Sequence, residues 1–432
     1  MKTILVGLNE LNFEYIRYYI SEGWLPNFKK LFSENKIVET TSEGKYELLE
    51  PWIQWVTVTT GKTYEEHQVF RLGDIVGRQD LKQIFETIEE RGYSVGAVSP
   101  FNVDNRLQSP SFFAPDPWTQ TKAVGSSTFV GLSNAVSQAV NDNAHGKLTK
   151  ESIIALLKGL LTYTSVKDYS FYIEKVLKIK SQVGVKALIL DKLLADTFIA
   201  EWDNKKPDFS NLFLNTGAHF QHHYMFNSSA YKGELSNPVW YCAKGQDPLI
   251  EILKVYDQII GELMLKPVRL VVATGLHQKP HKHTTFYWRL KEHKQFLQLI
   301  GIDNYASVTP RMSRDFLIDF PSEKEAGLAE ENLNTFIAEK DHIKIFTVDN
   351  RGKSLFVELT YPNDIVEDFN IIGKTKVGNF KNYVSFVAIK NGEHDGIGYL
   401  IDTENKIKQD RIELKDVYNL LLEDFAPKKI ID

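Results

Sequence analysis

The chain has 432 residues and a mass of 49.6 kDa, enough for one large α/β domain with an insertion, or for two domains, with a substantial core either way. Lys and Arg total 51 against 56 for Asp and Glu, a formal net charge of -5 with no evident basic stripe, which argues against a nucleic-acid partner. Cys242 is the only cysteine, which excludes an internal disulfide and Cys-rich zinc modules and fits a reducing compartment.

In chain order, short apolar runs rich in β-branched residues alternate with longer amphipathic stretches, the pattern of strand-helix-strand units around a mostly parallel sheet. Residues 3–8 read as the first strand. They do not read as a signal peptide, because Asn9, Glu10 and Asn12 interrupt the apolar run. A helix over 78–91 and a strand over 94–98 follow, and Pro115-Asp116-Pro117-Trp118 makes a rigid turn. Residues 126–202 carry few strand signals and read as three or four helices, a helical insertion (cap) over the sheet that can shape a substrate cleft. Strands are then expected at 211–215 and 269–274, around a helix at 247–264. Shorter strands follow at 316–320, 343–348, 354–359, 383–389 and 398–401, with helices at 323–339 and 414–424. No segment approaches the roughly 18 uninterrupted apolar residues of a membrane-spanning helix. The expectation is a single cytoplasmic α/β domain over 1–432, its mostly parallel central sheet sandwiched by helices.

Six segments carry polar chemistry at strand ends or helix starts. They are Ile4-Leu5-Val6-Gly7-Leu8-Asn9-Glu10; Gly23-Trp24-Leu25-Pro26-Asn27-Phe28; Glu50-Pro51-Trp52 through Thr60-Gly61 to His67; Ala218-His219-Phe220-Gln221-His222; Gly275-Leu276-His277-Gln278; and His394-Asp395-Gly396 before a strand. His219, His222 and His223 have the three- and four-residue spacings that share a helix face. Taken in order, these segments resemble the active-site signatures of the alkaline phosphatase superfamily, in its type I phosphodiesterase and nucleotide pyrophosphatase branch, with the reactive side chains exchanged.

The resemblance implies an alkaline-phosphatase-like fold and assigns positions. The metal-binding Asp after the first strand corresponds to Asn9, and the Thr or Ser nucleophile to Pro51. The Asp-x-x-x-His element keeps its His as His222 and has Ala218 for its Asp. Ser-Asp-His-Gly keeps its His as His277 and has Leu276 for its Asp, and the last His is His394. Glu50 adjoins the nucleophile position, where it can act as a metal ligand or general base. The N-terminus of the helix after it is a natural anion site. Arg289 can hold a phosphate or sulfate in bidentate fashion, or be a surface Arg on a helix beginning near Thr285.

With all three matched carboxylates exchanged, two dications about 4 Å apart repel by about 16 kcal/mol even at an effective dielectric constant of about 20, so a dinuclear site is not expected. Three neutral imidazoles, His222, His277 and His394, can instead hold one divalent metal, zinc first, with a position open to water. Glu50, Asn9, His219 and Arg289 are the candidate catalytic residues. The function expected is hydrolysis or transfer of a phosphate or sulfate ester group of a small metabolite or nucleotide-type substrate. The alternative is a catalytically inactive superfamily member that binds an anionic metabolite or a partner protein.

Overall fold

A computed structural model describes residues 2–141, 148–311 and 314–428. The residues group into two compact units. The first comprises Met1–Gly233, Pro238–Pro280 and Gly392–Asp432; the second comprises Glu234–Asn237 and His281–Asn391.

The first unit is built on an eight-stranded sheet in the order Arg411–Glu413, Ile37–Thr41, Ile397–Asp402, Arg269–Ala273, Thr3–Leu8, Phe209–Leu214, Val95–Val98, Phe112–Ala114. Thr3–Leu8 lies at its centre, parallel to both neighbours. Ile397–Asp402 is antiparallel to both of its own. The central strands are apolar on both faces, as strands covered on two sides must be. Ile4, Val6 and Leu8 face one core together with Leu212, Leu214, Leu270 and Val272. Leu5, Phe209, Phe213, Val271 and Ala273 face the other. Residues of the helices Phe13–Ser21, Pro26–Glu34, Val185–Lys205 and Pro248–Met264 fill the first core, and residues of Pro51–Thr60, Ile84–Glu90 and Asp416–Leu422 fill the second.

Residues 126–202 do hold helices: Ser127–Asn141, Lys150–Tyr163, Tyr169–Leu177 and the start of Val185–Lys205, with 142–147 outside the described residues. The last of them is more than a cap. Its Leu188, Ala195 and Phe198 are buried in the core beneath the sheet, and it packs directly on Val95–Val98 and Phe209–Leu214.

The second unit has its own core around Trp288, Phe296, Phe346 and Leu355, and an antiparallel sheet in the order Phe346–Asn350, Ser354–Leu359, Asp315–Asp319, Ser307–Pro310. Residues 277–290, expected to turn helical near Thr285, form the strand His277–Leu290. The run Thr284-Thr285-Phe286-Tyr287-Trp288 has the β-branched and aromatic composition that pleated, half-buried backbone favours.

Candidate metal centre

The centre is built where the middle strand leaves the sheet. Asn9 donates its backbone N–H to the carbonyl of Leu214 on one neighbouring strand, and Glu10 donates its own to Thr274 beyond the other. Glu10 then takes a left-handed backbone conformation, φ 57°, a strained choice for a residue with a side chain. Its surroundings over-determine it: the Glu10 carbonyl accepts from the Gln221 side chain at 2.6 Å and from the backbone N–H of Gln278 at 3.1 Å. The turn sends the Glu10 carboxylate inward, where it is buried.

Oε2 of Glu10 lies 3.0 Å from Nε2 of His222 and 3.0 Å from Nε2 of His394. The two imidazole nitrogens are 3.3 Å apart. His222 comes from the helix Thr216–Tyr224 and His394 from the end of the strand Val384–Asp395. The remaining carboxylate contacts come from amides: Gln278 Nε2 donates to Oε2 at 2.5 Å, and Asn9 Nδ2 donates to Oε1 at 2.9 Å. Burial pushes the Glu10 pKa up, but the charges and hydrogen bonds of His394 and His222 outweigh it and hold the carboxyl far below its usual range.

Two imidazole nitrogens and one carboxylate oxygen form a donor set for zinc, and catalytic zinc sites commonly have three protein ligands and an open fourth position. The spacing fits, since corners about 3.3 Å apart belong to a tetrahedron whose centre is about 2.0–2.1 Å from each, the usual zinc–ligand distance. Among the described residues this is the one group of three potential ligand side chains close enough to share an ion. Relative exposure sets the open side: the Glu10 side chain is 2% exposed and that of His222 is 30%.

The sequence-derived candidates divide. His222 and His394 come together. His277 does not join them: its Nδ1–H donates to the Ile397 carbonyl at 2.5 Å, and burial lowers its pKa, favouring the neutral ring. Asn9 is spent on structure, donating to Asn215 at 2.7 Å and accepting from the Trp55 indole at 2.8 Å. Trp55 can lie against this strand because residue 7 is glycine; a Cβ there would stand 2.9 Å from the indole and 2.6 Å from Phe213. Glu50, the N-cap of Pro51–Thr60, has Oε2 3.8 Å from Nδ1 of His394, ion-pair range but beyond hydrogen-bond reach. His219 is exposed, its ring 4.6 Å from that of His223. Arg289 sits on a strand of the second unit, not on a helix.

Two sequence inferences need correction. The pocket is not stripped of carboxylates, because Glu10, one residue past the expected position, turns into it. The anion cradle at Pro51–Thr60 is poorer than the resemblance implies: Pro51 has no N–H, and the N–H groups of Ile53 and Gln54 already bond the Glu50 carbonyl. Thr57, Thr59 and Thr60 are buried and donate back to the carbonyls of Ile53, Trp55 and Val56.

No family model and no curated protein matches this sequence. Solved structures do align with it along nearly its whole length. Human ectonucleotide pyrophosphatase/phosphodiesterase 5 is 13% identical, with a TM-score of 0.46, over 100% of this chain and 96% of that one. A phosphonoacetate hydrolase from Sinorhizobium meliloti 1021, in complex with phosphonoacetate, is 11% identical, with a TM-score of 0.44, over 99% and 96%. A TAB5 alkaline phosphatase mutant with Mg bound is 11% identical, with a TM-score of 0.40, over 99% and 98%.

Proposed function

We propose that this chain is a divergent, alkaline-phosphatase-like enzyme of the cytoplasm that hydrolyses or transfers a phosphate or sulfate ester group of a small anionic substrate at a single-metal centre. The supporting observation is the convergence of Glu10 Oε2 with Nε2 of His222 and of His394, each nitrogen 3.0 Å from that oxygen. Glu10, His222 and His394 would hold the ion, zinc first by donor type. A divalent ion bound there supplies Lewis-acid polarisation of an ester oxygen and lowers the pKa of water.

The chain's residues do the rest. Glu10 supplies one buried negative charge, which compensates a single dication and not a pair. Glu50, partly exposed beside His394, accepts the proton of the attacking water. With proline at the nucleophile position, water attacks the ester directly and no phosphoryl-enzyme accumulates.

A second reading is favoured by that same proline and by the fully bonded threonine hydroxyls of Pro51–Thr60: a non-catalytic member that keeps the centre to bind an anionic metabolite or a partner protein. The test strips the protein with a chelator, reloads it with Zn²⁺, Mn²⁺ or Mg²⁺, and measures bound metal and turnover on phosphodiesters, phosphomonoesters and sulfate esters. Turnover lost in His222→Ala supports the enzyme. Stoichiometric metal without turnover selects the second reading, and absence of both overturns the centre.

A further inference from the structure

The helices Lys150–Tyr163 and Tyr169–Leu177 keep large apolar side chains in solvent. On the first, Ile153, Ile154, Leu157 and Leu161 are 45%, 52%, 55% and 69% exposed. Their spacing places them along one side of the helix. The other side carries the packing: Gly159 and Tyr163 are buried, and a Cβ at Gly159 would meet Leu132 of the neighbouring helix at 2.8 Å. Val166, in the short connection, is 79% exposed, and Ile173, Val176 and Leu177 of the second helix are 63%, 55% and 80% exposed. Soluble proteins scatter such residues singly, and a run of them marks a surface that meets something.

Charge identifies the occupant. Residues 148–186 contain seven lysines and three acidic residues, a positive segment in a chain of net charge -5. Lys150, Lys158, Lys180 and Lys186 are exposed and form no ion pair among the described residues, whereas Lys167, Lys175 and Lys178 are paired with Glu262, Glu251 and Glu174. Exposed apolar side chains with unpaired lysines in the same segment suit the boundary between lipid headgroups and acyl chains, where the apolar groups enter and the cations stay with anionic headgroups. A second copy of the chain fits less well, because a two-fold contact sets the same lysines against each other. No helix among the described residues is long and apolar enough to cross a membrane, so contact of this kind is confined to one surface.

We propose that the exposed apolar side chains of these two helices dock the protein on an anionic membrane surface, lying on the bilayer and not spanning it. The proposal is independent of the metal centre and of the reaction assigned to it.

The full-length protein is sedimented with vesicles of phosphatidylcholine alone and with vesicles that are about one third phosphatidylserine. It should pellet with the anionic vesicles, and less so at high salt, because exposed charges are screened. L157Q/L161Q, at two exposed positions, should weaken binding by at least about tenfold, and K158E/K180E should weaken it further as salt is lowered. Circular dichroism and a thermal unfolding midpoint equal to the parent's show that the variants fold. Failure to pellet with anionic vesicles overturns the proposal, as does binding unchanged in L157Q/L161Q. A dimer in sedimentation velocity that L157Q/L161Q dissociates, without vesicle binding, overturns it in favour of a contact between copies.

Discussion

The side-chain amide of Asn9 donates to Oε1 of its neighbour Glu10 at 2.9 Å, leaving Oε2 to face His222 and His394. The amide orients the carboxylate, and the carboxylate supplies the negative charge that faces the two imidazoles.

Glu10→Gln preserves the volume and removes that charge. An amide is a poorer metal ligand, and its NH₂ would compete with Gln278 and Asn9, which now donate to the carboxylate. Affinity for Zn²⁺ measured by competition with a chromogenic chelator should fall by at least about 10- to 100-fold. Binding as tight as the parent's would show that the ion sits elsewhere.

Gly392→Ala tests the support behind Glu10. A Cβ at residue 392 would stand 2.0 Å from Oε1 of Gln278 and 2.9 Å from the Gln221 carbonyl. Gln278 must then move and release Oε2 of Glu10. The expected result is weaker metal binding and slower turnover, with thermal stability lowered by about 1–3 kcal/mol from overpacking. Metal binding and turnover equal to the parent's would mean that Gln278 does not hold the carboxylate in place.

Asp191 predicts a pH dependence away from the metal. Burial raises its pKa to about 6, against the hydrogen bonds from Tyr256 and Thr216. In the window between its ordinary value of 3.8 and about 6, the folded state holds a proton that the unfolded state has released. Stability therefore falls as pH rises through that window, by about 3 kcal/mol in all. His67, lowered to about 4 chiefly by its burial, has the opposite sign and loses stability as pH falls, so the parent and the variant must be compared at each pH. Asp191→Asn still accepts from Tyr256 and Thr216, and its advantage over the parent in urea denaturation should grow from pH 4 to pH 6. A constant difference across that range would refute the assignment.

Arg269 is fully buried and makes paired hydrogen bonds of 2.9 Å to Asp402, with a further one of 3.0 Å to Asp424. Arg269→Met strands a buried carboxylate and should cost about 3–5 kcal/mol. R269M/D402L should regain part of it. If the single variant unfolds at the parent's urea concentration, the cluster contributes nothing to stability.

Much of the scaffold was legible because apolar periodicity records burial directly. The strand Arg269–Ala273 and the helix Pro248–Met264 fall within a residue or so of the expected spans. The two histidines whose motifs keep them, His222 and His394, lie together, their ring nitrogens 3.3 Å apart. Glu10 was not legible: motif position marks Asn9, and only the left-handed turn at the next residue, a backbone property, brings the Glu10 carboxylate inward. The signal present was an acidic residue inside a polar turn at the end of the first strand. His277 misled because its motif survives while its ring bonds the Ile397 carbonyl. Arg289 lies on a strand and not on the expected helix, because the β-branched and aromatic run before it favours pleated backbone.

The partners of Glu10 are far apart in the chain. His222 and His394 are separated by 172 residues and Glu10 and His394 by 384, and the Glu10 backbone is pinned by Thr274, Gln221 and Gln278 between them. During synthesis the first of these ligands leaves the ribosome long before the last has been made. Ion uptake at this centre should therefore wait until His394 has been made, and tight uptake would serve as a chemical signature that these distant parts have met.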